Sequence, residues 1–242
     1  GRAHPAFLQL DNKIYVGLGN GIASSGFFQN FQDWWVYDIE LDRWEEKSSF
    51  IGEPRHHPYY FTIDTFLYVG FGHGIDIYND FYRYNPRIDQ WLEMKKFPGE
   101  GRVAGTQFAY DGKGYILSGQ DSQHDFMPSG EFWEYTPETD SWKELTAHPG
   151  QSRWAPGTFI IDGIVYLSAG DSPLGIAPAE SNNDLWSFRL GPNPASSRQL
   201  NLDVSLKPNP AKEFIEFDLE NINGFKYRIF DSKGRSVQEG FV

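Results

Sequence analysis

The chain has 242 residues, enough for one or two domains, and its lack of cysteine excludes disulfides, thiolate metal sites and cysteine nucleophiles. Its 33 acidic and 21 basic residues give a net charge of −12, which argues against nucleic-acid binding because phosphate backbones attract positive surfaces. No apolar run approaches the ~18 residues of a membrane span. Aromatic residues (17% of the chain), glycine and proline favour strands and tight turns.

Four copies of one unit follow one another along residues 1–190. Each copy begins at an arginine and has an Asp nine, a Tyr thirteen and a Gly seventeen residues later, without a gap. The arginines are Arg2, Arg55, Arg102 and Arg153. An acid then leads an aromatic cluster in each copy, and the four acids are Asp33, Asp80, Glu131 and Asp184. In three copies a tryptophan follows at a fixed distance, namely Trp44, Trp91 and Trp142.

Each unit predicts four short strands in chain order. The first strand, around residues 61–63 or 159–161, ends in an Asp-Asn or Asp-Gly hairpin turn. An apolar second strand follows, at 14–17, 67–70, 115–118 and 165–169. The acid and its aromatic cluster form the third strand, and the tryptophan begins the fourth. A four-stranded unit that repeats every ~50 residues is typical of a β-propeller blade, so we expect an all-β fold.

The apolar strand that ends in glycine, the Tyr seven residues before a Trp and the period resemble kelch repeats over residues 1–190. The double glycine of that family is degraded here, to Gly17-Leu18-Gly19, Gly70-Phe71-Gly72, Ser118-Gly119 and Ala169-Gly170. The resemblance implies a kelch-like β-propeller. Because kelch propellers usually have six or seven blades, we expect these four to belong to a larger ring with further blades upstream. A closed four-bladed ring is the alternative.

The composition changes after residue 190. Residues 191–198 have the composition of a linker, and residues 199–242 alternate in period two, which predicts a small sandwich-like β-domain. The tail contains a Pro-Asn-Pro element followed by an aromatic–Asp–x–x–Gly–Arg element. The residues of these two motifs are Pro208, Asn209, Pro210, Asp231, Gly234 and Arg235.

Together the two motifs resemble the C-terminal sorting domain of type IX secretion cargo in Bacteroidetes. The closing strand of that family is absent, so we expect the domain at 199–242 to be partial. The resemblance implies the outer-membrane type IX machinery as a partner, and an extracellular or cell-surface location. An ordinary immunoglobulin-like module is the alternative.

The sequence indicates no catalytic residue, metal site or cofactor. Adjacent His56 and His57 would point to opposite faces of a strand and could not easily share a metal ion. The four repeated acids are expected to bond to the backbone of a neighbouring strand. The repeated tryptophans are expected to pack in the core or between blades.

The four arginines leave two interpretations open. Each precedes a first strand, which in kelch propellers lies near the central channel. The guanidinium groups either bridge to carbonyls or acids of the next blade, or form a ring that recognises carboxylates of a glycan or acidic peptide. His4, His56 and Trp154 lie beside these arginines, and the residue types there differ between copies. Residues that vary on a constant repeated backbone are typical of recognition sites.

The loops between the second and third strands are expected on one face of the propeller. These loops span 20–32, 73–79, 120–130 and 171–183, and they carry Phe27, Phe28, Phe31, Tyr78, His124, Phe126 and Met127. They either stack on sugars and contact proteins, or fold back over the blade edges. The candidate ligand-binding residues are Arg2, Arg55, Arg102, Arg153, His56, Trp154, Phe126 and Tyr78.

These observations predict a secreted or cell-surface, non-catalytic binding module that recognises a glycan or protein ligand through one propeller face. One alternative is a carbohydrate-active isomerase or mutarotase-like enzyme, since one kelch family isomerises sialic acid. His56, His57 and Glu53 are its acid–base candidates. Another alternative is a structural subunit of a surface layer, fibre or adhesion and gliding assembly.

Overall fold

A computed structural model describes residues 1–171, 182 and 184–190, together with the backbone of five short strands between residues 198 and 241. Its contacts divide the chain into two compact units, Gly1–Gln199 and Leu200–Val242. Residues 191–197 of the predicted linker and most of the predicted sorting motif lie outside the described residues, so their boundaries stay predictions. No helix in the described part is long and apolar enough to cross a membrane.

Four antiparallel sheets of four strands each make up the first unit. The first blade consists of β1 (Ala6–Leu10), β2 (Lys13–Gly17), β5 (Trp34–Asp38) and β6 (Arg43–Lys47), with a hairpin of β3 (Asn20–Ile22) and β4 (Phe28–Asn30) in its loop. The second consists of β7 (Tyr59–Ile63), β8 (Phe66–Gly70), β9 (Phe81–Asn85) and β10 (Gln90–Glu93). The third consists of β11 (Thr106–Tyr110), β12 (Lys113–Leu117), β13 (Phe132–Thr136) and β14 (Ser141–Glu144). The fourth consists of β15 (Gly157–Ile161), β16 (Ile164–Ser168), β17 (Leu185–Arg189) and β18 (Arg198–Leu200).

The sheets are arranged as blades of a β-propeller, as the repeat predicted. The first strands of successive blades pack side by side, β1 against β7, β7 against β11 and β11 against β15. A three-residue 3₁₀ helix, Pro137–Thr139, lies between β13 and β14. In the second unit β19 (Leu206–Lys207) pairs with β20 (Glu216–Phe217), and β21 (Lys226–Phe230) pairs with β22 (Ser236–Phe241).

Backbone conformation explains why Asp and Gly recur at the turns of each copy. The Asp that ends each first strand has a φ near +50°, a left-handed conformation that Asp adopts more readily than most residues. The glycine after each second strand also has a positive φ, for example +86° at Gly72. A Cβ at Gly72 would meet the His56 carbonyl at 2.7 Å, so the position excludes larger residues.

One ion pair recurs in every blade, and its arginine is buried in the second, third and fourth blades. In the second blade both terminal nitrogens of Arg55 donate to the two carboxylate oxygens of Asp80, and the Arg55 side chain is fully buried. The equivalent pairs are Arg2–Asp33, Arg102–Glu131 and Arg153–Asp184. The pair joins the segment before the first strand to the start of the third strand. The predicted bond from each acid to neighbouring backbone is replaced by this bond to arginine.

The same arginines also join neighbouring blades through their backbone. The Gly72 N–H donates to the carbonyl of Arg102 in the next blade at 2.9 Å. The Gly19 N–H donates likewise to Arg55, and the Gly119 N–H to Arg153. Arg55, Arg102 and Arg153 therefore each hold their own blade together by the side chain and bind the preceding blade by the carbonyl.

Aromatic packing fills the space between the blades. Trp91 of the second blade lies 5.0 Å, between ring centroids, from both Trp34 and Phe50 of the first blade. Trp142 lies 5.0 Å from Phe81 of the preceding blade. The predicted inter-blade packing is therefore confirmed for these two tryptophans.

Two faces at the ends of the blade series are open. Trp44 of the first blade is 55% exposed, because no described blade precedes it. Phe159 of the fourth blade is 47% exposed, whereas the equivalent Leu8, Phe61 and Phe108 are buried against the next blade. Further blades would cover such faces, and the larger ring stays a prediction.

Removing one partner of the buried pair should destabilise the propeller strongly. Replacing Arg55 by methionine leaves the Asp80 carboxylate desolvated without its cation, and we expect the free energy of unfolding to fall by about 3–5 kcal/mol. Urea unfolding followed by tryptophan fluorescence measures this change. Lys47→Ala, which removes the surface pair with the exposed Glu45, is the control and should change stability little. Equal effects of the two variants would contradict a structural role for the arginine pairs.

Candidate functional site

The segments after the arginines meet the loops at one end of the blades. Isolated antiparallel bridges join Ala3 to Asn20, His56 to His73, Val103 to Gln120 and Trp154 to Asp171. We call this end, with the loops 20–32, 73–79 and 120–130, the loop face. The hairpin turns at Asp11 and its equivalents lie at the opposite ends of the first strands. Most of the predicted fourth loop, 171–183, lies outside the described residues.

Four short segments surround the central cavity at the loop face. The second residue after each arginine has a φ near +50°, and these residues are His4, His57, Ala104 and Ala155. The His57 N–H donates to the His4 carbonyl at 3.0 Å, and the Ala155 N–H donates to the Ala104 carbonyl at 2.6 Å. The four residues line a cavity of about 160 Å³ together with Tyr60 and Gln107.

Five of the six histidines contact one another, and we call them the histidine cluster; two of them, His4 and His57, line this cavity. His4 and His57 stack with ring centroids 3.7 Å apart. His56 and His57 approach with their Nδ1 atoms 2.6 Å apart. His73 lies 5.1 Å from His56 and 5.2 Å from His124, between ring centroids. The cluster draws on three blades, so no local sequence pattern could have shown it.

The expectation that His56 and His57 point apart is wrong. It assumed a regular strand, in which successive side chains alternate between faces. His57 instead precedes β7 and has a φ of +50°. This left-handed residue turns the chain, and the two rings meet.

Trp154 extends the cluster into the fourth blade. Its ring lies 5.3 Å from His57, between centroids, and it is half-buried. The equivalent positions in the other blades are Ala3, His56 and Val103. A constant backbone frame therefore presents a different side chain from each blade.

The core of the histidine cluster is uncharged at neutral pH. Burial, together with the neighbouring His4 and His56, lowers the pKa of His57 to about 3. Burial and the neighbouring His73 and His4 lower the pKa of His56 to about 4. A neutral Nδ1–Nδ1 contact needs one protonated nitrogen and one lone pair. The cluster thus offers ring faces together with both hydrogen-bond donors and acceptors.

The four predicted arginines do not present free charges to this cavity. Arg55, Arg102 and Arg153 are buried, and their guanidinium groups bind the acids of their own blades. At Asp184, burial raises the pKa, but hydrogen bonds from Arg153 and Trp186 outweigh it and lower the pKa below its usual value. This arrangement matches the structural interpretation of the arginines more closely than the anion-binding interpretation.

Two of the predicted ligand-binding aromatics, Tyr78 and Phe126, make contacts within the propeller. The guanidinium carbon of Arg55 lies 4.2 Å from the Tyr78 ring centroid, and the Ile75 N–H donates to the Tyr78 hydroxyl at 3.1 Å. Phe126 is half-buried and bridges to Gln120.

Other apolar side chains on the loop face are exposed to solvent. Phe27 is 76% exposed and Ile75 is 88% exposed, with Ile22 and Phe28 similarly open. The loop residues predicted from the sequence did not include the two isoleucines. A hydrophobicity scan of the loops would have found them.

In the part of the chain that the structure describes, no group of three or more histidines or acids is arranged to hold a metal ion. Glu53 is exposed. The sorting-motif residues Pro208, Asn209, Pro210, Asp231, Gly234 and Arg235 lie outside the described residues.

Comparison with known proteins supports the fold alone. No family model matches the sequence, and no curated protein matches it. A solved structure described as "Structure of YjhT" is similar, with a TM-score of 0.68 and 17% sequence identity. The match covers 82% of this chain and 64% of that chain, so this chain spans less than two thirds of its length.

Acidification should destabilise the folded protein through the histidine cluster. An unfolded histidine takes up a proton near pH 6.5, whereas folded His56 and His57 stay neutral until about pH 4 and 3. Below pH 6.5 the unfolded state binds more protons, so the free energy of unfolding should fall as the pH falls. Urea unfolding at intervals between pH 7.5 and 4.5 measures the slope.

His57→Gln should flatten this pH dependence, because it removes a buried group that titrates only on unfolding. Gln123→Ala, at an exposed loop residue that does not titrate, is the control and should leave the slope unchanged. An unchanged slope in His57→Gln would show that His57 does not contribute to the pH dependence.

Proposed function

We propose that this protein is a non-catalytic binding module that recognises a ligand through the loop face, around the histidine cluster. The observation that carries the proposal is the contact of imidazole rings with one another and with Trp154, from all four blades, beside a cavity that His4 and His57 line. Flat rings beside hydrogen-bond donors and acceptors suit a sugar, which has apolar ring faces and hydroxyl groups. A glycan is therefore the preferred ligand class.

A protein ligand is the second candidate. Four apolar side chains on the loops, Ile22, Phe27, Phe28 and Ile75, are largely exposed. Exposed apolar surface on loops is typical of contacts with other macromolecules. The same observation supports the alternative in which the protein is a structural subunit of a surface layer or adhesion assembly.

The histidine pKa values favour binding over acid–base catalysis. An isomerase or mutarotase needs a base whose pKa lies near the working pH. The pKa values of about 4 for His56 and about 3 for His57 make these imidazoles weak bases. The contact between the two rings is the one feature that favours an enzyme, because it offers a path for a proton.

The cellular setting rests on sequence motifs. We propose that the blades are kelch repeats, on the register of Arg, Asp, Tyr and Gly in four copies. We also propose that residues 199–242 are part of a type IX sorting domain, on the Pro-Asn-Pro and aromatic–Asp–x–x–Gly–Arg elements. The protein would then be secreted or held at the cell surface, where glycans and surface proteins are available.

A glycan array tests the preferred ligand class. The protein should bind at least one glycan, and Trp154→Ala or His4→Ala should reduce that binding at least tenfold by removing ring contacts. Leu41→Ser and Ile88→Ser are the controls. They change exposed apolar residues in turns at the opposite end of the blades, and they should leave binding intact. Circular dichroism checks that each variant is folded.

Two outcomes would redirect the proposal. If the protein bound no glycan, the glycan class would be rejected. If Phe27→Ser and Ile75→Ser abolished binding while Trp154→Ala did not, the exposed loops and not the cavity would carry recognition.

A further inference from the structure

The contact between His56 and His57 places two ring nitrogens where one metal ion can bind both. Their Nδ1 atoms lie 2.6 Å apart, because the left-handed backbone of His57 turns the two rings toward each other. A tetrahedral zinc ion holds imidazole nitrogens at about 2.0–2.1 Å, which separates two such ligands by about 3.3 Å, so the rings need to part by only about 0.7 Å. The sequence argued against a shared metal ion only because these side chains were expected to point apart.

The other ring nitrogens of the histidine cluster are free of hydrogen bonds. Within the described residues, the contact between His56 and His57 is the only side-chain hydrogen bond that any of the five imidazoles makes. A neutral imidazole carries one N–H and one lone pair, and that lone pair is a common metal ligand. His56, His57 and His73 are half-buried, so a dissolved ion can reach their rings.

His73 is placed to supply a third ligand. Two backbone hydrogen bonds of 2.9 Å join it to His56, and the two ring centroids lie 5.1 Å apart. Over the ranges that the structure describes, three ligand atoms are not already arranged around one point, so the His73 side chain has to turn toward the pair. His4 stacks on the face of His57 at 3.7 Å and covers that side of the site.

The surrounding charge favours a cation. The chain has a net charge of −12, which attracts positive ions to its surface. Burial and the neighbouring His124 lower the pKa of His73, and the Asp76 carboxylate opposes them, so this carboxylate lies within electrostatic reach of the ring. The guanidinium group of Arg55, the residue before His56, is paired with Asp80 and adds no unbalanced positive charge.

We propose that His56 and His57 bind a zinc ion through their Nδ1 atoms, with His73 as the third ligand and water as the fourth. Imidazole nitrogens suit zinc, whereas magnesium prefers oxygen ligands. When the ion binds, the proton between the two Nδ1 atoms moves to the Nε2 atom of the same ring, so both imidazoles stay neutral. The zinc site uses the cluster of the proposed function, but it rests on the nitrogen geometry and does not require a glycan.

Calorimetry with the full chain tests the zinc site directly. At about pH 7.5, above the ordinary pKa of histidine, Zn²⁺ should bind with one-to-one stoichiometry in the absence of any glycan. Mg²⁺ under the same conditions should not bind, because the site offers nitrogen and not oxygen ligands.

Three variants locate the binding. His56→Gln and His57→Asn should each lower the zinc affinity about tenfold or more, since even residues that only orient a metal ligand change affinity by about 10–100-fold. Asparagine is chosen at position 57 because it tolerates the left-handed backbone. His148→Phe removes the sixth histidine, which lies outside the cluster, and as the matched control it should leave the affinity unchanged.

Nuclear magnetic resonance of the ring nitrogens tests the same assignment without a variant. Addition of Zn²⁺ should shift the Nδ1 resonances of His56 and His57 and leave those of His148 in place. The proposal is overturned if the unaltered protein binds no zinc, if these resonances do not move, or if His148→Phe weakens binding as much as the two cluster variants. Because no glycan is present, such a failure leaves the glycan proposal standing, and a failure on the glycan array leaves the zinc site standing.

Discussion

The structure of each blade depends on a buried charge that must be neutralised. A guanidinium group that is removed from water is tolerated only beside an anion, and an acid supplies it at the start of the third strand in every blade. This pair joins strands that are about 30 residues apart in sequence. The carbonyl of the same arginine accepts a bond from the preceding blade in three copies, so one residue fixes both the blade and its neighbour.

The segments that follow the arginines also determine which side chains lie at the loop face. The two residues after each arginine have nearly the same backbone conformation in all four blades, but their side chains differ. Where the second blade has two histidines, the third has Val103 and Ala104, and the fourth has Trp154 and Ala155. A constant frame therefore brings unlike side chains together at the loop face.

The space between the third and fourth blades is filled differently from the other two. Trp91 and Trp142 each pack against three rings in the first two spaces. The equivalent ring positions in the third space hold Phe132, His148 and Phe188, and these rings pack against one another. His148 is thus a polar residue where the other copies have Phe50 and Phe97.

The sequence by itself determined the four blades, the register of their strands and the packing of Trp91 and Trp142, because local periodicity and turn chemistry encode these features. It left open whether the arginines bind ligands or acids, since burial alone decides that. Only the tertiary structure brought His4, His57, His124 and Trp154 together, because these residues come from four blades and meet through the curvature of the propeller. It also overturned the expected separation of His56 and His57, because a single left-handed residue redirects the chain.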